Sequence, residues 1–232
     1  MTTQPADGRD NEGKASSETD STQRAVEPRE RAPERRRKEL IDSALLEFST
    51  KGFGGARTDS IIARTNSNKA MLFHYFGSKE GLYIAVLEQV YADIRDSEAA
   101  IDFDALPPRD AIIRLIEFTF DYYIANPAFV RMINNENLHE AAHLRKSNHI
   151  SKVNTSIIAK LQRILDRGVR DGQFRPGIDA TDLYISISAL GFTYVSNRHT
   201  LSIVFDRDLF AEETLKDRLK NMTEMVLRYL SR

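Results

Sequence analysis

The sequence contains no cysteine, which excludes disulfides and thiolate metal sites. No apolar run approaches the roughly 18–20 residues of a membrane span, and the first residues lack the apolar core of a secretory signal. No stretch alternates apolar and polar residues convincingly enough for a half-buried sheet. Residues 1–33, "MTTQPADGRDNEGKASSETDSTQRAVEPRERAP", hold almost no large apolar side chain. Such a segment buries too little surface to offset chain entropy, so a disordered tail is expected there. These absences point to a cytoplasmic, helical protein with no membrane partner. The 232 residues, 41% hydrophobic and 29% charged, suffice for a core without staples.

What is present is helical periodicity from Leu40 onward, and the fold class it predicts is all-α with roughly nine helices. Leu40, Ile41, Ala44, Leu45 and Phe48 share one face, and "KGFGG" ends that helix, with Gly52 suited to positive φ. Thr58 is placed to cap a short helix, "DSIIAR". Asn66 in the turn "TNSN" tolerates positive φ. "KAMLFHYF" follows, Gly77 breaks it, and Ser78 is placed to cap a long helix through Leu82, Val86 and Val90. Ile112, Leu115, Ile116, Thr119, Phe120 and Tyr123 form a further stripe, and Asn126-Pro127 reads as a cap and a first helical position. Ile150, Val153, Ile157, Leu161 and Ile164 form the next, followed by Leu183, Ile187, Leu190 and Tyr194. Leu215, Leu219, Met222, Val226 and Tyr229, spaced 4-3-4-3, form the last and suit packing in a bundle.

Two short helices joined by a tight turn after a longer one suggest a helix-turn-helix within residues 34–79. Charge agrees. Lys and Arg occupy nine of these positions and acids five, although the whole chain carries a net charge of −1. A locally basic unit suits a surface that meets phosphate. The run "ERRRK", which includes Arg36, reads either as a solvated first turn or as a phosphate-contacting arm.

"GFGGARTDSIIARTNSNKAMLFHYFGSKEGLYIAVL" (52–87) resembles the DNA-binding domain of TetR-family transcriptional regulators, most specifically at "LFHYFGSKEGLY". The resemblance implies that 68–75 is a recognition helix and that Lys79 touches phosphate. A helix N-terminus in the major groove would bring Asn68, Lys69 and Met71 to base edges. Thr58, His74 and Lys79 would hold the backbone. Alternatively, Met71 belongs to the core and His74 is a plain surface residue. The chain departs from the family pattern at Asn66 and Ser67, where glycine and an apolar residue are usual. The Ser67 hydroxyl therefore needs a partner. The family's usual tyrosine is Phe73, which leaves that site in the DNA-binding set without a phosphate-reaching hydroxyl. "NENLH" (135–139) and "VSNRHTLSIVFDRDL" (195–209) are similar to the RutR/NicS-like branch, which implies a small-molecule effector and a homodimer closed by the last two long helices.

"HEAAHLRKSNH" (139–149) offers a competing reading. His139 and His143 have the i, i+4 spacing of a zinc peptidase helix, with Glu140 as base. His149 is a third ligand only if the chain reverses, and Lys146 stands where such peptidases place glycine. On a continuous helix His149 lies roughly 15 Å along the axis from His139. No metal or cofactor is therefore expected, and the chain is read as a non-enzyme. Polar groups interrupting apolar faces suggest an effector pocket instead, with Asn134, Asn137, His139 and Asn197 as polar members and Phe118, Tyr122 and Phe192 as walls. For each polar member the alternative is a helix-end or dimer-interface role.

The sequence thus predicts a helix-turn-helix DNA-binding domain at 34–79 and an effector-binding and dimerisation bundle at 80–232. The function expected is that of a ligand-responsive repressor, bound as a homodimer to a palindromic double-stranded DNA operator. A constitutive repressor without effector and a zinc-dependent peptidase are the alternatives.

Overall fold

A computed structural model describes residues 31–231, with the side chains of 31 and 151–154 outside that description. The expected tail lies outside the described residues up to position 30, as does the Val153 side chain. Residues 31–33 are already helical.

Among the described residues there are nine α-helices and no strand. They are α1 (Arg31–Gly55), α2 (Thr58–Ile62), α3 (Lys69–Phe76), α4 (Lys79–Ala99), α5 (Pro108–Ala125), α6 (Pro127–Leu138), α7 (Ile150–Arg170), α8 (Ala180–Val204) and α9 (Glu212–Leu230). A 3-10 turn, Leu144–Lys146, lies between α6 and α7. No described helix is long and apolar enough to cross a membrane.

Local chemistry sets the helix ends. Gly52 breaks α1 with φ 65°, as its position predicts. Ser78 caps α4, its Oγ accepting from Gly81 N at 2.9 Å. Gly81 is itself required, because a Cβ there would lie 2.0 Å from the Phe76 carbonyl oxygen. Two expectations fail and a third holds only in part. Thr58 is the first residue of α2, not its cap, and Arg57 holds the cap position. Asn66 is not among the residues with positive φ. Asn126 holds the N-cap position of α6 and Pro127 its first position, as expected, but the Asn126 side chain makes no cap bond there; its Nδ2 donates back to the Tyr122 carbonyl at 2.9 Å and closes α5.

The apolar stripes make two cores. The first packs Leu40, Ile41, Ala44 and Phe48 of α1 against Ile61, Leu72 and the first half of α4. Met132 of α6 and Ile150 of α7 belong to it as well. The second gathers the far half of α4 with α5, α7, α8 and α9 around Ile116, Phe120, Leu161, Ile187 and Met222. Each fully buried Leu, Ile or Phe contributes about 1.5–3 kcal/mol. α4 and α6 therefore serve both cores, and they connect the head to the bundle.

Candidate DNA-binding surface and helix-lined cavity

The second short helix, α3, projects its N-terminal end from the head. Asn68 is its cap, with Oδ1 accepting from Met71 N at 2.9 Å. One acceptor lone pair is thereby engaged, while the amide Nδ2 keeps both its donors free for a base or phosphate. Lys69 is exposed and lies 3.6 Å from Asp59, a loose pair that a phosphate can displace. Phe73 and His74 are exposed, and Met71 and Thr58 are half-buried. Lys79 holds its ammonium 4.8 Å from the Phe53 ring, and exposed Arg36 lies on the first turns of α1. Phe76 is half-buried, packed against the head core beneath the Arg37 guanidinium at 5.4 Å. The Ser67 hydroxyl, which needs a partner, is buried and finds none among the described residues.

Glu47 fixes the head's geometry. Its side chain has no exposed surface. It accepts from Lys51 Nζ (2.7 Å), Arg64 Nη2 (2.9 Å) and Arg57 N (3.3 Å). One carboxylate thus ties α1 to both ends of α2. The Lys51 hydrogen bond, with those from Arg64 and Arg57, outweighs desolvation and holds the carboxyl at about pKa 2.

The histidine-rich segment is not the helix that zinc ligation needs. α6 ends at Leu138, and Glu140 and Ala141 follow with φ of 55° and 57°. The cause is Glu136, which is buried and accepts from His143 N (3.3 Å), Leu144 N (2.9 Å) and the His143 ring Nδ1 (2.9 Å). Capturing those two amides reverses the chain. His143 is buried against Phe53 and Tyr83, with ring centroids 4.4 and 4.7 Å away. His139, Glu140 and His149 are exposed. Among the described residues no group of three His, Cys, Asp or Glu is placed to hold a metal. Ser147 Oγ donates to Glu88 (2.7 Å) and Lys146 Nζ to Glu80 (2.5 Å), which straps this segment to α4.

A cavity of about 380 Å³ lies between α4, α5, α6 and α8. Of the seven pocket residues expected from sequence, it brings together Asn137 and Phe192. Phe118 and Tyr122 are not among its lining residues; their ring centroids lie 5.9 Å apart with the planes tilted by 41°. Asn134 and His139 are exposed, and Asn197 donates to Thr193 O within its own helix. Sequence reasoning missed Tyr91, Arg95, Tyr123, Tyr184 and Ser188. Arg95 is 7% exposed, and its Nη2 donates to Tyr184 Oη at 2.5 Å across 89 residues of chain. Its Nη1 lies 2.6 Å from Glu98, whose carboxyl burial pushes up to about 7 against the pull of Arg95 and Lys160. Burial also raises the Tyr123 and Tyr184 phenols, so both walls stay neutral.

Cavity and head share residues one helical turn apart. On α6, Phe129 and Ile133 face the cavity, while Met132 is in the head core and Asn135 Nδ2 donates to Phe48 O at 3.3 Å. On α4, Leu82, Val86 and Leu87 pack in the head and Tyr91, Ile94 and Arg95 line the cavity.

Known proteins share this fold. Residues 40–86 match the family described as bacterial regulatory proteins, tetR family, and residues 108–226 match the tetracyclin repressor-like C-terminal domain. The HTH-type transcriptional repressor NicS of Pseudomonas putida is 37% identical over 199 residues, spanning 86% of this chain and 94% of that protein. The HTH-type transcriptional regulator RutR of Escherichia coli is 44% identical over 62 residues, 27% of this chain and 29% of its own. A bacterial regulatory protein in the tetR family from Rhodococcus RHA1 has the same fold with a TM-score of 0.65 at 19% identity. That match covers 84% of this chain and 96% of the other.

Proposed function

The chain belongs to the TetR family of bacterial regulatory proteins, and from that premise we propose that it is a repressor that a small-molecule effector releases from a palindromic operator. It is a DNA-binding transcriptional regulator and not an enzyme, as its family and relatives are. The single observation that carries the effector reading is the sharing of α4 and α6 between the cavity and the head. A ligand that prefers one setting of these helices shifts the population of head positions by its differential affinity. The name of NicS as a repressor supports repression over activation.

A homodimer follows from the same reading. Two recognition helices one DNA turn apart require two heads, and operator symmetry mirrors protein symmetry. Exposed apolar side chains on and just after α8 (Ile203, Val204 and Phe205) and on α9 (Met225 and Tyr229) support those helices as the joint. Within this reading Asn68, Lys69 and Met71 meet base edges, while Arg36, Thr58, His74 and Lys79 hold the backbone and Phe73 offers apolar contact only.

The test is selection of genomic fragments by the purified full-length chain, with and without a small-molecule extract of the same cells. Enrichment of a palindrome that the extract abolishes supports the reading. Enrichment that no extract alters favours a constitutive repressor. No enrichment over bulk DNA overturns operator binding.

A further inference from the structure

We propose that the arginine-rich stretch leading into α1 is a second DNA-reading element, an arm that lies in the minor groove beside the major groove taken by α3 and selects A·T-rich flanks. The inference rests on the DNA-binding reading and adds a sequence preference separate from that of α3.

Geometry sets where the arm starts. Arg35, Arg36, Arg37 and Lys38 are exposed on the first turns of α1. The Arg37 guanidinium lies 5.4 Å from the centroid of the Phe76 ring, and Phe76 is the last residue of α3. Lys79, assigned above to the phosphate backbone, opens α4 three residues later. The start of α1 is thus held against the far end of the recognition helix, roughly 12 Å from the end that meets bases. Arg36 has no hydrogen bond or ion pair among the described residues, so its donors are available.

Charge and residue type set what the arm meets. Residues 24–38 hold six arginines and Lys38 against three acids, whereas residues 1–23 hold two cations against five acids. Positive charge is therefore confined to the part of the chain next to the head. The bias toward arginine is local too, because residues 39–79 carry three lysines and two arginines. A guanidinium is more weakly hydrated than an ammonium, and narrow A·T-rich minor grooves attract it. A·T pairs show only acceptors in that groove, while G·C adds the guanine N2 donor, which repels an arginine donor. Contact with phosphate alone does not call for this bias.

The chain is long enough. One turn of DNA is about 34–36 Å, so the neighbouring minor groove lies about 17 Å along the axis. Residues 24–30, which lie outside the described residues, span at most about 25 Å when extended. That carries Arg29 to the groove and Arg24 along it.

The test is fluorescence anisotropy of the full-length protein on its selected operator, with about four base pairs outside each half-site set to A·T, G·C or inosine·C. Inosine lacks the guanine N2 amino group, so inosine·C keeps the major-groove edge of G·C and the minor-groove acceptors of A·T. A·T and inosine·C flanks are expected to bind alike and about 10-fold more tightly than G·C flanks. R24Q/R29Q should abolish that difference, keep the preference for operator over scrambled duplex, and lower the salt slope by about 0.9 for each arginine lost from the DNA. R24K/R29K should keep the slope and weaken the flank preference. Retained operator preference shows that a variant is folded. Inosine·C behaving like G·C, or a flank preference that survives R24Q/R29Q, overturns the proposal. Operator preference with no flank preference in the unaltered chain defeats the arm alone. No operator preference in the unaltered chain defeats the operator reading and the arm with it.

Discussion

Glu136 and His143 meet across the break that ends α6, carboxylate Oε1 to ring Nδ1 at 2.9 Å. The same carboxylate holds the amides of His143 and Leu144, so it shapes the chain where head, α4 and α6 converge. Replacing Glu136 by Ala strands two buried donors and one part-buried donor and is expected to cost on the order of 2 kcal/mol in denaturant unfolding. E140Q, at an exposed position, is expected to change stability by less than about 0.5 kcal/mol. The opposite ranking, or a hydrolytic activity lost in E140Q, would revive the zinc reading.

Glu47 gives the head a dependence on acid. Its carboxyl titrates near 2 in the folded chain against an ordinary 4.5, so its contribution is fully present above pH 4.5 and is lost as pH falls toward 2. E47Q should therefore lower the melting temperature more at pH 7 than at pH 3. A loss of equal size at both values would show that the three hydrogen bonds do not depend on the charge.

Ser67 departs from the family pattern at a cost the structure makes visible. Its hydroxyl is buried and unpartnered, so S67A is expected to stabilise the protein by about 1 kcal/mol, measured by urea unfolding. A destabilised variant would mean that the hydroxyl has a partner in solution.

Lys69 and Lys79 should separate reading from gripping. K79Q is expected to weaken binding to operator and scrambled DNA alike and to reduce the salt slope by about 1. K69A should in addition relax sequence preference at one position, by about 1–3 kcal/mol. Equal losses on both duplexes in K69A would remove Lys69 as a reader of bases. Competitive binding to a pool of single-base operator variants distinguishes the two.

Much of the head was legible because its chemistry is local. Ser78 caps α4 three residues from the amide it binds, Gly52 and Gly77 adopt positive φ where the helices break, and the apolar face of α1 is written within nine residues. Asn126 stands at the cap position of α6 as read, but its side chain does not cap, because two helix ends compete for it and the carbonyl of Tyr122 captures it. The i, i+4 histidines looked helical because the sequence does not show that Glu136 takes the amides of residues seven and eight further on. The cavity was least legible. Arg95 and Tyr184 lie 89 residues apart and become neighbours only when α4 packs near α8. Arg95 reads in sequence as one more charge on a helix with polar flanks.

The most direct measurement is a fluorescence-anisotropy titration of the full-length protein against its selected operator and a scrambled duplex of equal length and composition, over a range of salt. A sequence-specific regulator should prefer the operator by at least about a thousandfold at physiological salt. Equal affinity for both duplexes, falling together with salt, would contradict sequence-specific regulation.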